Sequence, residues 1–325
     1  MTAPLASVVI PTFQRRDSLL RALASLATQT VPQNRYEVIV VVDGSEDGSR
    51  EAAESLEPGY ALRVLAQSNR GRAAACNAGV AAARGTVVVL LDDDMAATPE
   101  FLAAHLRAHE RQPRSAVIGA APIRLEPGHP AHVRYVGAKF NRHLEHLAAA
   151  GRPLALRDFY SGNLSIVRAE LDAVGGFDER FTVYGNEDLE LSLRLSAAGV
   201  RLVYEPAAVA WQAYEKSFAA LARDNVGKGR TAVLLARLHP DARDQLKLGS
   251  FTRESIVRRL VVDVMLAATR LAPRLREQIV ALVARLGERR WPGVQRLYPL
   301  VLDYLYWCGV REEEGRPMAH PARAA

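Results

Sequence analysis

The chain has 325 residues, of which 49% are apolar and 24% are charged, and its formal net charge is +6. This composition is typical of an ordinary soluble globular protein, and the length allows one large domain or two moderate ones. No uncharged apolar run reaches the roughly 20 residues of a membrane-spanning helix, so none is expected. The positive charge permits anionic partners, but the basic residues form no recognised nucleic-acid-reading motif, so no nucleic-acid partner is expected.

The N-terminal residues and the two cysteines indicate the location and the redox state of the protein. The first residues, MTAPLASVVIPTF, lack a basic segment followed by a long apolar one, so we expect no secretory signal and a cytoplasmic location. Cys76 and Cys308 are far apart and have no metal-ligand spacing, which predicts two reduced thiols.

The first 95 residues alternate short apolar runs with helical patterns. Strands are predicted at residues 7–10, 36–42, 62–65 and 86–91, with helices between them. This alternation predicts an α/β fold with a doubly wound, mostly parallel sheet, flanked by helices and joined by right-handed crossovers. An aspartate, Asp43, comes directly after the second strand.

Three consecutive aspartates, Asp92, Asp93 and Asp94, follow the fourth strand. Ligands of open α/β sheets bind beyond the carboxyl ends of the strands, so crowded carboxylates there indicate a divalent cation that carries a phosphorylated ligand. Side chains alternate along an extended segment, which would put Asp92 and Asp94 on one side and Asp93 on the other. On spacing alone, a solvated acidic turn is the alternative.

The pattern is less regular between residues 96 and 215. Helices are predicted at 99–107, 168–174 and 187–198, and strands at 116–120, 160–166, 200–204 and 209–211. Residues 121–158 contain four prolines and four histidines, and we expect a mobile loop over the site or an acceptor pocket there. Glu187 and Asp188 open a helix, where they either cap it or present a carboxylate to a bound hydroxyl.

Beyond residue 216 the chain has long helical patterns, including 256–271 and 274–286. Residues 251–300 hold ten arginines and four acids among apolar and aromatic residues. This segment is either a peripheral membrane surface or, as is commoner for a run of charges, a helical subdomain with a solvated arginine face. We expect a helical extension at 216–311 and a disordered tail at 312–325.

The motifs together resemble the inverting GT-A glycosyltransferases of family 2. The resemblance covers about residues 5–215 and implies a nucleotide-binding half, 1–95, and an acceptor half, 96–215. It rests on several short segments in a fixed order: residues 8–13 (VVIPTF), 42–47 (VDGSED), 69–71 (NRG), 77–79 (NAG), 92–94 (DDD), 162–165 (GNLS), 175–178 (GGFD) and 185–191 (GNEDLEL).

The resemblance implies a nucleotide-sugar donor, with a UDP-sugar favoured, and a bound Mn²⁺ or Mg²⁺. It implies transfer with inversion to a hydroxyl of a glycan, a lipid-linked or a small-molecule acceptor, as in the biosynthesis of cell-envelope polysaccharides. Asp188 would be the general base, Glu187 would orient it, and Asp94 and Asp92 would hold the metal. The other implied residues line the nucleotide pocket (Pro11, Thr12, Phe13, Asp43, Arg70, Arg72, Asn77, Asp92 and Asp93) or the acceptor side (Gly162, Asn163 and Trp211).

Two positions depart from the family pattern. Cys76 replaces an arginine, which leaves Arg70 or Arg72 to contact the phosphates or the base. Gln212 stands near the position of a histidine that often lines the metal site, so a third protein ligand is not expected.

Two other functions are compatible with such a sheet. One is a sugar-nucleotide nucleotidyltransferase, which would need a glycine-rich loop after the first strand, and residues 12–16 contain no glycine. The other is a sugar-nucleotide-binding or membrane-associated protein without catalysis, which tight nucleotide binding without turnover would identify.

Overall fold

The structure, a computed structural model, describes residues 3–149, 154–250 and 255–316. The chain forms two compact units. The first comprises residues up to 129 together with 133–183 and 187–215, and the second comprises 130–132, 184–186 and the residues from 216 onward.

An eight-stranded sheet forms the centre of the first unit, in the order β3-β2-β1-β4-β7-β6-β8-β5. The strands are β1 (Ala6–Thr12), β2 (Tyr36–Asp43), β3 (Ala61–Gln67), β4 (Val87–Leu91), β5 (Met95–Ala97), β6 (Ser115–Ala120), β7 (Asn163–Val167) and β8 (Arg201–Gln212). The first four strands in spatial order are parallel, as are β6 and β8, whereas β7 is antiparallel to both neighbours and β5 is antiparallel to β8. The predicted α/β class with a mostly parallel sheet is confirmed.

Helices cover both faces of this sheet. They are α1 (Arg16–Leu26), α2 (Ser49–Glu54), α3 (Arg72–Ala82), α4 (Phe101–Arg111), α5 (Ala131–Ala149), α6 (Arg168–Ala173) and α7 (Glu187–Ala197). Successive side chains of β1 point to opposite faces of the sheet. Val8 and Ile10 pack in the apolar cluster on one face, and Val9 packs in the cluster on the other. Every residue of β1 and β2 is buried, which is why these strands are mostly apolar; of their polar residues, Ser7 donates a hydrogen bond to Glu37 at 2.7 Å.

Two predictions for residues 96–215 were wrong. A helix of 19 residues, α5, occupies much of the segment expected to be a loop, and its apolar Val133, Phe140, Leu144 and Leu147 recur every three, four or seven residues. The histidines and arginines between them obscured that period. The two strands expected at 200–204 and 209–211 are one strand, β8, whose register shifts opposite Gly119 and Ala120.

The second unit is helical. Its helices are α8 (Phe218–Leu238), α9 (Lys247–Ser250), α10 (Ile256–Leu271), α11 (Leu275–Glu288) and α12 (Val294–Glu314). Helices α8 and α12 approach backbone to backbone, because a Cβ on Gly229 would overlap the carbonyl oxygen of Tyr306 and a Cβ on Gly309 that of Val226. Residues 312–314, expected in a disordered tail, continue α12, and the rest of that tail from 317 lies outside the described residues.

In the described ranges, no helix combines the length and apolar character needed to cross a bilayer.

Candidate active site

The aspartate triplet lies in a turn and is not extended. Strand β4 ends at Leu91, and the backbone N–H of Met95 donates to the carbonyl oxygen of Asp92 at 3.1 Å, which closes the turn. The alternation expected for an extended segment therefore does not hold. Asp93 and Asp94 share one cationic partner, and Asp92 contacts a different one.

Arg15 is the partner of Asp93 and Asp94. Its Nη1 lies 2.9 Å from Asp94 Oδ2 and 3.3 Å from Asp93 Oδ1, and Thr12 Oγ1 donates to Asp93 Oδ2 at 2.8 Å. Burial raises the pKa of Asp93 to about 7 and also raises the pKa of Asp94, although Arg15 acts in the opposite direction. One guanidinium thus incompletely balances two buried carboxylates.

Arg72, the first residue of α3, joins the aspartate triplet to the start of α7. Its Nη2 donates to Asp92 Oδ1 at 2.8 Å and its Nη1 to Ser161 Oγ at 2.9 Å, and Nη1 is also 3.8 Å from Glu187 Oε1. Burial disfavours the charge on Arg72, but the Asp92 and Glu187 carboxylates raise its pKa well above the ordinary value. The two acidic motifs, almost a hundred residues apart, therefore meet at one guanidinium.

Asp188 follows Glu187 in the first turn of α7. Its Oδ1 accepts a hydrogen bond from the backbone N–H of Leu189 at 2.8 Å, and its side chain is half-buried, whereas Glu187 is buried. The helix N-terminus favours the negative charge of both acids. The preceding Asn186 has a φ of 64°, and its amide donates to Lys228 O and Thr231 Oγ1.

Asp43, at the end of β2, organises the loop that precedes α3. Its Oδ1 accepts from Gln67 Nε2 at 2.8 Å and from the backbone N–H of Arg70 at 2.9 Å, and its Oδ2 accepts from the N–H of Gly71 at 2.9 Å. A carboxylate has about four lone-pair positions, so these three bonds leave room for one further donor, such as a nucleobase N–H.

Asn77 and Arg70 clasp the loop after α6. Asn77 Nδ2 donates to the carbonyl oxygen of Phe177 at 2.9 Å, its Oδ1 accepts from the N–H of Phe177 at 2.8 Å, and Arg70 Nη2 lies 2.5 Å from Glu179 Oε2. Gly176, with φ +68°, leaves no space for a Cβ beside Asn77 Oδ1. Both residues, expected to bind nucleotide, are engaged in holding this loop.

The end of β1 presents the other residues expected to line the nucleotide pocket. Pro11 and Thr12 are buried, whereas Phe13, just beyond the strand, is 48% exposed. The next residue, Gln14, donates its backbone N–H to Ser45 Oγ at 2.9 Å. Phe13 therefore offers an aromatic ring to solvent at the carboxyl edge of the sheet.

Three residues were expected on the acceptor side, and the structure separates them. Gly162 lies against Asp92: its carbonyl oxygen accepts from the Asp92 N–H at 2.9 Å. Trp211 is 39% exposed, with the Arg124 guanidinium 5.5 Å from its ring centroid. Asn163, however, is fully buried.

The amide of Asn163 instead ties strands together. Its Nδ2 donates to the carbonyl oxygens of Ala120 and Ala208, both at 2.9 Å, and its Oδ1 lies 2.8 Å from Nε2 of the buried His105. An amide with this hydrogen bonding belongs to the protein interior, so the structure adds no support for the expected acceptor contact of Asn163.

Sequence reasoning missed Arg15 and Ser161. Arg15 follows β1, and β1 pairs with β4, so the loop that carries Arg15 and the turn of Asp93 and Asp94 lie at the same sheet edge. That signal becomes usable only once β1 and β4 are known to be neighbours. Ser161 precedes Gly162 in a predicted motif but has no chemistry that distinguishes it locally.

The oxygen donors suit a hard divalent cation but do not form a complete cage. Among the residues that the structure describes, no group of three or more His, Cys, Asp or Glu side chains converges as metal ligands. Gln212 Nε2 donates to both carboxylate oxygens of Asp94 at 3.3 Å, so it supports a ligand at the position near which the family pattern has a histidine. One or two carboxylates that share a cation with substrate phosphates fit Mg²⁺ or Mn²⁺ chemistry.

The sequence profile described as Glycosyl transferase family 2 matches residues 7–172, just over half of the chain, and one described as the N-terminal domain of galactosyltransferase matches 142–214. The chain is 32% identical over 221 residues to validoxylamine A glucosyltransferase of Streptomyces hygroscopicus subsp. jinggangensis, which covers 61% of this chain and 52% of that protein. It is 30% identical over 237 residues to pre-mycofactocin glycosyltransferase of Mycobacterium tuberculosis, with 72% and 48% covered. The chain thus spans about half the length of these curated relatives.

Two solved structures share the fold. A mannosyltransferase from Pyrobaculum calidifontis, in complex with GDP-Man and Mn²⁺, superposes with a TM-score of 0.64 at 21% identity and covers 97% of this chain and 88% of its own. Residues 1–349 of TarS from S. aureus, in complex with UDP-GlcNAc, give a TM-score of 0.55 at 16% identity, with 96% and 92% covered. On the evidence of the matching profile and the GT-A type of its sheet, the chain belongs to glycosyl transferase family 2.

Proposed function

We propose that the chain is an inverting, metal-dependent glycosyltransferase that moves a sugar from a nucleotide-sugar donor to an acceptor hydroxyl. The observation that carries the proposal is the position of Arg72, which contacts both Asp92 and Glu187. Arg72 thereby holds two kinds of acid at one site. Asp92 is suited to a metal–diphosphate group, and the pair that begins with Glu187 is suited to proton removal. We assign this chemistry to residues 1–215.

On the donor side, Asp94 and Asp92 are the residues that would hold Mn²⁺ or Mg²⁺. The bound ion would neutralise the charge that develops on the leaving diphosphate. Asp43 retains a free acceptor position for the base, Asp93 is assigned to the ribose, and Phe13 offers a stacking surface. The solved neighbours described above contain GDP-Man and UDP-GlcNAc, so donors with either nucleotide are to be tested; a UDP-sugar, which the sequence resemblance favours, comes first.

On the acceptor side, Asp188 is assigned as the general base. Its carboxylate would accept the proton of the acceptor hydroxyl as the oxygen attacks the anomeric carbon from the face opposite the diphosphate, which inverts the configuration. Glu187, held 3.8 Å from Arg72, orients the start of α7. General-base assistance of this kind contributes about 10²–10⁴ in rate.

The acceptor is proposed to be a glycan, a lipid-linked sugar or a small molecule, with Trp211 as an exposed aromatic contact. Curated relatives of the chain include a validoxylamine A glucosyltransferase and a chondroitin synthase of Escherichia coli. We place the reaction in the cytoplasm, in the biosynthesis of a cell-envelope polysaccharide.

The test measures release of nucleoside diphosphate from a panel of UDP-sugars and GDP-mannose in the presence of Mn²⁺. Asp188→Asn should lower turnover by about 10²–10⁴ while nucleotide still raises the unfolding temperature. Asp94→Asn should lower turnover and weaken the dependence on Mn²⁺. The matched control is Asp172→Asn, an exposed acid on α6, which should behave as wild type.

Two results would contradict the proposal. Turnover of both variants within a few-fold of wild type would remove the assigned roles of Asp94 and Asp188. Tight nucleotide binding by calorimetry, with no turnover on any donor, would instead identify a sugar-nucleotide-binding protein without catalysis.

A further inference from the structure

The outward face of α10 consists mostly of exposed apolar side chains, and the acid among them, Asp263, pairs with Arg311 of α12 at 3.3 Å. Ile256, Leu260, Val264 and Leu271 are between 59% and 88% exposed, and Val257 beside them is 73% exposed. Their positions are four, four and seven residues apart, so at 100° per residue they form one continuous stripe along the helix. A stripe of this kind on a surface helix normally packs against something.

The opposite face of α10 is already packed within the second unit. Val262 and Leu266 are buried, and Thr269 Oγ1 shares a hydrogen bond with Tyr304 Oη of α12. Arg258 on this side pairs with Asp303 of α12. The contacts that hold α10 in the second unit therefore do not involve its exposed stripe. Packing among the described residues does not explain why the side chains of the stripe are apolar.

Most of the described arginines of residues 251–300 are exposed, as expected of a solvated arginine face, and the apolar stripe is exposed as well. Arg258 and Arg276 of this segment are paired with acids of α12, namely Asp303 and Glu312, while the apolar side chains face solvent. Exposed arginines are the ordinary outcome for such a composition, whereas a stripe of exposed apolar side chains is not.

The exposed charges at the end of the stripe are positive. Arg270 and Arg274 flank Leu271 within one turn, and both are exposed. Further along α11 and the turn after it, exposed Arg285, Arg289 and Arg290 outnumber exposed Glu277 and Glu288. A second copy of this face would bring arginines against arginines, whereas an anionic surface complements them.

We infer that α10 docks in the interface of an anionic lipid bilayer, lying parallel to its plane. The stripe of Ile256, Leu260, Val264 and Leu271 enters the boundary between headgroups and acyl chains, and Arg270 and Arg274 contact lipid phosphates. This inference does not rest on the proposed glycosyl transfer, because it uses residues of the second unit alone.

The test is co-sedimentation of the full chain with vesicles of phosphatidylcholine containing one third phosphatidylglycerol, at low salt. Wild type should bind, and Ile256→Ser/Leu260→Ser/Val264→Ser should partition about 100-fold more weakly. Arg270→Gln/Arg274→Gln should bind these vesicles about fivefold more weakly per arginine and differ little from wild type on pure phosphatidylcholine. The control, Leu5→Ser/Leu125→Ser, changes exposed apolar residues of the first unit and should bind as wild type.

Circular dichroism and thermal unfolding establish that each variant is folded, and since the substituted side chains are exposed, no loss of structure is expected. Failure of wild type to bind the anionic vesicles overturns the inference, as does equal binding by the triple serine variant. Concentration-dependent self-association of wild type that the triple variant abolishes, without vesicle binding, identifies the face as an interface between copies and also overturns it.

Discussion

Replacing Gly162 by alanine should displace the Asp92 carboxylate without unfolding the protein. A Cβ built on Gly162 lies 2.5 Å from Asp92 Oδ2 and 2.9 Å from Met95 Cε. The contact with Oδ2 is about 1 Å shorter than van der Waals contact. The backbone of Asp92 is tied to Gly162 by its N–H, so the carboxylate is the group that must move.

The expected magnitude follows from that displacement. A shift of about 1 Å in a positioned catalytic group lowers the rate by about 10²-fold, whereas overpacking of this kind costs about 1–3 kcal/mol of stability. Gly162 does not have a positive φ, so alanine adds no backbone strain. Turnover should therefore fall about 10²-fold in a folded protein, as the 2.8 Å bond between Asp92 and Arg72 is disturbed.

The assay is release of nucleoside diphosphate from the best donor of the panel, together with thermal unfolding. Gly128→Ala is the matched control, because nothing lies within 4 Å of a Cβ at that position. Turnover of Gly162→Ala within threefold of wild type would show that the position of Asp92 does not limit the reaction. An equal fall in both variants would show that the effect does not arise at Asp92.

Three further predictions concern stability. Arg15→Gln should destabilise the metal-free protein by about 3 kcal/mol, since it leaves two buried carboxylates without their cation. MnCl₂ should raise the unfolding temperature of this variant more than that of wild type, and equal increases in the two proteins contradict the prediction. Burial lowers the pKa of His105 to about 4, so the neutral ring contributes stability above about pH 6.5. This stability is lost as the pH falls toward 4, by up to about 1.4 kcal/mol per pH unit. His105→Gln should reduce that slope of the unfolding free energy against pH in urea unfolding, and an unchanged slope refutes the prediction. Gly309→Ala should destabilise the second unit by about 3 kcal/mol or more in thermal unfolding, whereas Gly315→Ala, with its nearest neighbour at 4.0 Å, should not.

The central strands were predictable because burial on both faces requires a run of apolar residues in the sequence. Val38–Val42 has no polar residue, and the structure buries every one of those side chains. Helix α5 was not predictable in the same way, since its apolar residues are diluted by charged and histidine side chains. Local patterns thus identified elements with closely spaced apolar residues, such as β2 and α10, and failed for α5, whose apolar residues are far apart in the sequence.

The sequence predicted the residue types of the site better than it predicted which of those residues contact one another. Asp92, Asp93 and Asp94 stood out as an acidic cluster, but whether a strand continues or turns after Leu91 is decided by tertiary contacts such as the bond between Asp92 N–H and Gly162 O. Arg15 could not be chosen among the chain's many arginines without knowing that β1 pairs with β4. Asn163 has a polar side chain, which suggested a place at the surface. Only its hydrogen bonds to the neighbouring strands β6 and β8 show that it lies in the interior.

The clasp formed by Asn77 and Arg70 limits how the first unit can move. Both residues reach across about a hundred positions of sequence to residues 177–179, so they join the segments that the sequence assigned to a donor half and an acceptor half. A hinge between those halves would have to break these bonds. We therefore expect substrates to enter by rearrangement of individual loops, and time-resolved measurements on this unit should find local opening with no rigid-body swing of one half against the other.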